Sequence, residues 1–290
     1  MNKSLSKSEI ENAFFNHAAN TGVIFTSRPL IVDGVLHRDH IDGDKRGTKN
    51  GAYIVHADSY PSGWYLHFNT GLSGRWTLSG KHGPFNKVMM QQIETDRIRR
   101  GIELHERQNA AANKARFIWR NATPITEQSQ HSYLLKKHVH PYQVRLHHGC
   151  LVIPIYDQNK QLVNLQFIAA HGIKRFLSSG RKKGCFSVIG KMGVDGIIQV
   201  AEGWATGASL YEATGSFTVI AMDAGNLEPV ALVLRRLYPD MQIIICGDND
   251  KSGTGQKSAQ SAALAVNGKY IIPPVVGFDF NDMLTMAAVK

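Results

Sequence analysis

The sequence is poor in cysteine, and its three cysteines are scattered. Cys150, Cys185 and Cys246 are never paired as Cys-x-x-Cys, which argues against a disulfide framework and against a zinc ribbon. No stretch approaches the ~20 apolar residues of a membrane-spanning helix, and the first residues form no apolar signal segment. We therefore expect a cytoplasmic protein with no membrane partner and no structural zinc.

Acidic residues are scarce in the first two thirds of the chain. The net charge is +10, yet residues 195–290 contain ten acids and six Lys or Arg, a net charge of −4 that leaves +14 for the first 194 residues. A basic region joined to an acidic region that can hold a metal suggests a polyanionic substrate. The alternative is a charge that only keeps the protein soluble.

The first 85 residues are predicted to form a small module rich in β-strands. Ser6 and Glu9 have capping-box spacing, which predicts a helix that ends near Ala19. In residues 23–78, short apolar runs alternate with Gly- and Asp-containing turns, a pattern typical of antiparallel strands. The sequence therefore favours one helix followed by an antiparallel sheet.

Aromatic and basic side chains are interleaved in this module. Such aromatics either stack on unpaired bases or fill a small core, and the sequence leaves both open for Trp64, Tyr65, Phe68 and Trp76. The module also contains several histidines without a neighbouring cysteine, and their spacing matches no structural zinc pattern; they are His37, His40, His56 and His67.

Residues 86–190 are predicted to form a basic α+β subdomain. A proline-free polar stretch predicts a long helix over residues 86–121, and a shorter helix is expected over residues 123–137. Two β-rich runs, at residues 151–157 and 162–167, resemble a hairpin. No acid then occurs between Lys174 and Lys191. This basic segment is either a surface loop or a set of phosphate contacts, for which the candidates are Lys174, Arg175, Arg181, Lys182 and Lys183.

Residues 191–290 contain two apolar runs that each end on acids. Residues 197–201 precede Glu202, and residues 242–246 precede Asp248 and Asp250. Short β-branched runs bounded by Gly are typical of buried parallel strands, and ligands bind at the carboxyl ends of such strands. The alternation of strands and helices predicts a parallel sheet with right-handed crossovers. The three acids form an oxygen cluster suited to Mg²⁺.

Four ordered segments carry a family resemblance: VAEGWATGASLYEATG from Val200, AMDAGNL from Ala221, ICGDND from Ile245 and DFND from Asp279. The chain resembles Toprim-domain DNA primases of plasmids and phages, the TraC-like family, and more distantly the DnaG type. The resemblance implies an α/β fold in which a Toprim domain, a parallel sheet flanked by helices, occupies residues 191–290. The basic α+β subdomain (86–190) and the β-rich module (1–85) precede it.

The resemblance also implies a function and a site. It implies a DNA primase that uses Mg²⁺ or Mn²⁺ to join nucleoside triphosphates on single-stranded DNA, with a replicative helicase as a further partner. Glu202, Asp248 and Asp250 match the catalytic, metal-binding acids of the family, and Asp279 and Asp282 resemble its late acidic motif. The alternatives are a Toprim nuclease and a non-catalytic accessory that binds single-stranded DNA.

Overall fold

The computed structural model describes residues 6–78, 87–125, 131–193 and 195–288. The chain divides into two compact units, Met1–Glu103 and Leu104–Lys290, so the boundary falls within a long helix. The division into three regions at residues 85 and 190 stays a prediction. Within the described ranges, no helix has the length and apolar character needed to cross a membrane.

The described residues of the first unit form a short helix, an antiparallel sheet and the first part of the long helix at the boundary. The short helix and the strands are α1 (Lys7–Asn20), β1 (His37–Asp39), β2 (Gly51–His56), β3 (Ser62–His67) and β4 (Ser73–Thr77). The strands pair in the order β1-β2-β3-β4. The capping box is confirmed, because the Ser6 amide donates to Glu9 Oε2 (2.7 Å) and the Glu9 amide donates to Ser6 Oγ (3.3 Å).

The aromatic residues of this unit divide between core and surface. Tyr65 and Trp76 pack edge-on against the buried ring of Phe14, so they belong to the core. Phe68 is exposed, and the Arg38 guanidinium lies 3.9 Å from its ring centroid. Tyr65 and Trp76 therefore fill the core, as one of the two alternatives for these aromatics predicts, whereas Phe68 does not.

Three histidines of this unit lie next to separate polar partners. His37 Nε2 lies 2.8 Å from Asp33 Oδ1, and His67 Nε2 lies 3.1 Å from Asp44 Oδ2. His40 Nδ1 lies 3.0 Å from the Thr48 carbonyl. Each ring thus satisfies a local polar group.

The long helix α2 (Lys87–Asn121) leads into a second antiparallel sheet. The following elements are β5 (Thr123–Pro124), α3 (Ser132–Lys137), β6 (Arg145–His147), β7 (Cys150–Tyr156), β8 (Leu162–Ile168) and β9 (Lys174–Phe176). The strands lie in the order β5-β6-β7-β8-β9. The predicted long helix and the β7–β8 hairpin are confirmed. Asn86, the predicted first residue of that helix, lies outside the described residues.

The prediction that a helix starts at Thr123 is wrong. Thr123 and Pro124 form the edge strand β5, which pairs with Leu146 and Arg145. A residue before proline is biased towards extended backbone, and proline, which lacks an N–H, is tolerated on a sheet edge. The helix begins only at Ser132, where the His131 side chain accepts from the Tyr133 amide.

The third sheet is almost wholly parallel, as predicted. Its elements are β10 (Ser187–Ile189), β11 (Ile197–Ala201), α4 (Trp204–Thr214), β12 (Phe217–Ile220), α5 (Leu227–Leu237), β13 (Gln242–Cys246), α6 (Thr254–Ala265), β14 (Lys269–Ile271) and α7 (Phe280–Ala288). The strand order is β10-β12-β11-β13-β14. Only β10 runs antiparallel, against β12.

Both faces of this sheet are buried. On one face Val200 and Ile245 pack among the apolar residues of α5 and α6. On the other, Ile220 and the fully covered Trp204 of α4 share a core with Ile153 of the second sheet. The second and third sheets thus share a hydrophobic core. This packing holds the loops of the second sheet close to the strand ends of the third.

Candidate active site

Two acidic side chains meet at the carboxyl edge of the third sheet. Glu202 follows β11 and Asp248 follows β13 after a single glycine. These strands are parallel neighbours, with Ala201 opposite Cys246. The strand ends therefore bring Glu202 and Asp248 together, as the sequence pattern indicates.

Gly255, at the start of α6, allows this close approach. A Cβ at this position would lie 3.0 Å from Asp250 Oδ2, 3.1 Å from Glu202 Oε1 and 2.5 Å from the Asp248 carbonyl oxygen. Only a residue without a side chain leaves that space open. The carboxylate oxygens of Glu202 and Asp250 and the backbone carbonyl oxygen of Asp248 thus converge beside Gly255. We call the place where these three acids lie together the acidic gap.

Burial makes two of these carboxylates hard to ionise. It raises the pKa of Glu202 to about 7, reinforced by the charge of Asp248 and opposed by a hydrogen bond from the Asp248 amide. It raises the pKa of Asp248 to about 6, reinforced by the charge of Asp279. Glu202 Oε1 and Asp248 Oδ1 are buried and have no hydrogen-bond partner among the described residues. Such oxygens are costly unless a cation or proton satisfies them.

Asp250 is held differently from its two neighbours. Its Oδ1 accepts from the Ser252 hydroxyl (2.5 Å) and the Thr254 amide (3.2 Å), and its Oδ2 accepts from the Gly255 amide (2.6 Å). These hydrogen bonds, that of Ser252 above all, lower the pKa of Asp250. The residue stays ionised and anchors the first turn of α6.

The late acids form a reciprocal cap on α7. The Asp282 amide donates to Asp279 Oδ1 at 2.8 Å, and the Asp279 amide donates to Asp282 Oδ2 at 3.3 Å. Lys137 Nζ lies 3.8 Å from Asp279 Oδ2 and 3.4 Å from Asp282 Oδ1. Both acids are therefore engaged by backbone and lysine, and their role as metal ligands stays a prediction.

The donor chemistry of the gap fits a magnesium ion. Within the described ranges no group of three or more His, Cys, Asp or Glu side chains is arranged to hold a metal. However, Mg²⁺ is usually bound by one or two carboxylates, with waters and substrate phosphates as the remaining ligands. The two unpartnered oxygens of Glu202 and Asp248 match that requirement.

Two lysines face these acids. Lys174 Nζ lies 3.6 Å from the place where a Cβ on Gly203 would be. Burial and then the charge of Lys137 lower the pKa of Lys174, while Asp279, Asp248 and Glu202 oppose the shift. Lys137 was missed by the sequence reasoning, since only the packing of α3 near α7 places it here. Its position is fixed by Asn281, whose amide donates to the Lys137 carbonyl at 2.6 Å.

The other predicted phosphate contacts fall into two groups. Arg181 donates to Asp157 Oδ2 at 2.6 Å, and Lys182 is paired with Asp223 at the end of β12. Arg175 and Lys183 are exposed. The structure thus places the exposed Lys174 near Glu202 and Asp248, pairs Lys182 with Asp223 and Arg181 with Asp157, and leaves Arg175 and Lys183 exposed.

Asn226 connects the basic segment to the third sheet through hydrogen bonds. Its buried side-chain nitrogen donates to the carbonyls of Lys182 (3.2 Å), Cys185 (3.0 Å) and Ala221 (2.7 Å), and its Oδ1 accepts from the Gly184 amide (2.8 Å). A buried polar group with this many partners rigidifies its surroundings. Sequence reasoning missed this role, for which the presence of Asn226 in the AMDAGNL segment is the one available signal.

Comparison with known proteins agrees with the resemblance. Residues 197–288 match the Toprim domain family. A DNA primase TraC from Escherichia coli is 36% identical over 267 residues, which cover 84% of this chain and 24% of that protein. A second Escherichia coli DNA primase TraC is 32% identical over 265 residues, covering 84% of this chain and 18% of that protein. The chain therefore spans a quarter or less of the curated relatives that it matches.

Solved primase structures are also similar, at low identity. The zinc-binding and RNA polymerase domains of the Aquifex aeolicus primase align over 97% of this chain and 83% of that chain, with 12% identity and a TM-score of 0.44. A DnaG catalytic core aligns over 63% of this chain and 76% of that chain, with 12% identity and a TM-score of 0.42. The resemblance to Toprim-domain primases of the TraC type is confirmed by the family match and the sequence identities.

Proposed function

We propose that this chain, which carries a Toprim domain and is similar to TraC primases, synthesises oligonucleotide primers on single-stranded DNA. The reaction is metal-dependent nucleotidyl transfer, and its setting is the replication of a plasmid, phage or other mobile element. The observation that supports it most is the pair of unpartnered carboxylate oxygens, on Glu202 and Asp248, beside the ammonium group of Lys174. Oxygen ligands for a divalent cation next to a phosphate-binding cation suit phosphoryl chemistry.

Each residue of the site has a distinct task in this proposal. A bound Mg²⁺ or Mn²⁺ would supply activation of the attacking 3′ hydroxyl and stabilisation of the leaving pyrophosphate. Glu202 and Asp248 would hold it, while Asp250 keeps the first turn of α6 in place. Lys174 and Lys137 bind the triphosphate of the incoming nucleotide, because two adjacent cations match its charge.

The remaining basic residues bind the template. Arg175 and Lys183 are exposed on the basic segment, and Lys182 exchanges Asp223 for a phosphate when a strand is bound. Such contacts position a nucleic acid without reading its sequence. A replicative helicase is proposed as the partner that delivers the single-stranded template.

The test is an incubation of the full chain with single-stranded DNA, nucleoside triphosphates and Mg²⁺. New oligonucleotides, absent without Mg²⁺ and strongly reduced in Lys174→Ala, are expected. A control variant, Lys114→Ala, removes an exposed lysine of α2 and leaves synthesis unchanged. Shortened template would instead indicate a nuclease, and retained binding without either product would indicate an accessory; both results contradict the proposal.

A further inference from the structure

A cavity of about 660 Å³ lies in the Leu104–Lys290 unit. It opens at the seam of the second and third sheets, where the backbones of Tyr156 and Phe186 exchange hydrogen bonds of 2.8 and 2.9 Å. This volume is within the range of small-molecule sites, roughly 300–1,000 Å³. Both of these rings line the cavity, together with those of Phe217 and Tyr238. The lining is therefore rich in aromatic residues and the cavity has the size of one nucleotide, with Phe186 and Phe217 largely buried behind it.

The polar rim of the cavity is positively charged. Lys160 and Lys191 line it and are both exposed. Among the lining residues that the structure describes, the one carboxylate is that of Asp157. Its oxygens already accept from Arg181 (2.6 Å) and from the amides of Asn159 and Gln161 (2.9 Å each). The two ammonium groups are left unneutralised by the other lining residues, so the rim favours an anion.

This cavity is separate from the acidic gap. Phe217 begins β12, and Tyr238 follows the end of α5, so the cavity lies at the amino edge of the parallel strands. Glu202 and Asp248 lie at the opposite, carboxyl edge. A five-residue strand spans about 16 Å, which is too far for one nucleotide to occupy both places.

We propose that this cavity is a second nucleotide-binding site. The base lies against the half-buried rings of Tyr156 and Tyr238, where stacking is worth about 1–3 kcal/mol per base, and a phosphate group reaches Lys160 and Lys191. The side chains of Gln143 and Gln158, also on the lining, offer both donors and acceptors to the edge of the base. The nucleotide is either free or part of a bound strand, and the chemistry of recognition is the same.

The test measures binding to the full chain without divalent cations, so that it does not depend on primer synthesis. The probes are a fluorescent ATP analogue and, separately, a labelled ten-nucleotide oligothymidylate. The Lys160→Ala/Lys191→Ala variant should weaken binding of at least one probe tenfold or more. The matched control, Lys114→Ala/Lys269→Ala, removes two exposed lysines of the same unit and should change it less than twofold.

The probe whose affinity falls shows whether the bound nucleotide is free or part of a strand. The same measurements show whether the proposal fails. Loss of ATP binding in the double variant supports a free nucleotide, and loss confined to the oligonucleotide supports a nucleotide of a strand. Unchanged affinity for both probes overturns the site, as does a loss that follows Lys174→Ala instead, since binding would then belong to the acidic gap. A wild-type chain that synthesises primers normally but binds neither probe in the absence of divalent cations disproves the cavity site and leaves the proposed primase activity standing.

Discussion

Asp248→Asn tests whether the acidic gap is built for a cation at the expense of stability. The substitution keeps the shape of the side chain and removes the charge of a buried carboxylate whose Oδ1 has no partner among the described residues. We expect the metal-free protein to become more stable at pH 8 and to lose its response to Mg²⁺. Sites that hold charge for function commonly carry such a cost.

The magnitude follows from the pKa of Asp248, which rises from 3.8 to about 6 on folding. A carboxyl group whose pKa is raised in the folded state destabilises it fully above that pKa and not at all below the unfolded value. Two pKa units correspond to about 3 kcal/mol, and partial contact with water reduces this to about 1–2 kcal/mol. Asn should therefore increase the free energy of unfolding by that amount at pH 8 and by almost nothing at pH 4.

The assay is urea denaturation with a chelator at both pH values, repeated with Mg²⁺ at pH 8. Asp240→Asn, at an exposed aspartate after α5, is the matched control and should have no effect in either condition. Mg²⁺ should raise the urea midpoint of the wild type and of the control, but not that of Asp248→Asn. An Asp248→Asn protein that is equally or less stable at pH 8 would refute the electrostatic reasoning.

Four further outcomes are expected. Gly255→Ala places a methyl group against the Asp248 carbonyl oxygen and the carboxylate oxygens of Asp250 and Glu202. It should raise the Mg²⁺ concentration for half-maximal priming about tenfold, in a metal titration. Asn226→Leu leaves several buried polar groups without a hydrogen-bond partner and should lower the free energy of unfolding, measured in urea, by about 2–4 kcal/mol. Arg175→Ala/Lys183→Ala should flatten the salt dependence of single-strand binding by roughly 0.7 per lost phosphate contact. Because the pKa of Glu202 is about 7, Mg²⁺ affinity measured by calorimetry should rise between pH 6 and pH 8, as the group loses its proton.

The sequence was sufficient where the structure is local or strongly periodic. The run at Gln242–Cys246 is β-branched and bounded by polar residues and glycine, and β13 has those bounds. The capping box at Ser6 and Glu9 fixes the start of α1 in the same direct way. The acids after β11 and β13 could be placed together because parallel neighbours end at one edge.

Non-local packing decided what the sequence could not show. The strand β10 is three residues long and is defined only by its pairing with β12. Local signals at Thr123 and Pro124 predict the start of a helix, whereas pairing with β6 places both residues in a strand. The partners of Arg181 and Lys182 lie 24 and 41 residues away, so no spacing rule could separate these two cations from their exposed neighbours.

The attachment of α7 to α3 bears on the order in which the molecule folds. Lys137 and Asp282 are 145 residues apart, and Asn281 reaches back 144 residues to the carbonyl of Lys137. Contacts that close such long loops lose the most chain entropy and form late. A folding intermediate can therefore contain the complete parallel sheet while Lys137 is still far from the late acids. We expect refolding experiments to show native strands first, and nucleotide binding that depends on Lys137 only in the slowest phase.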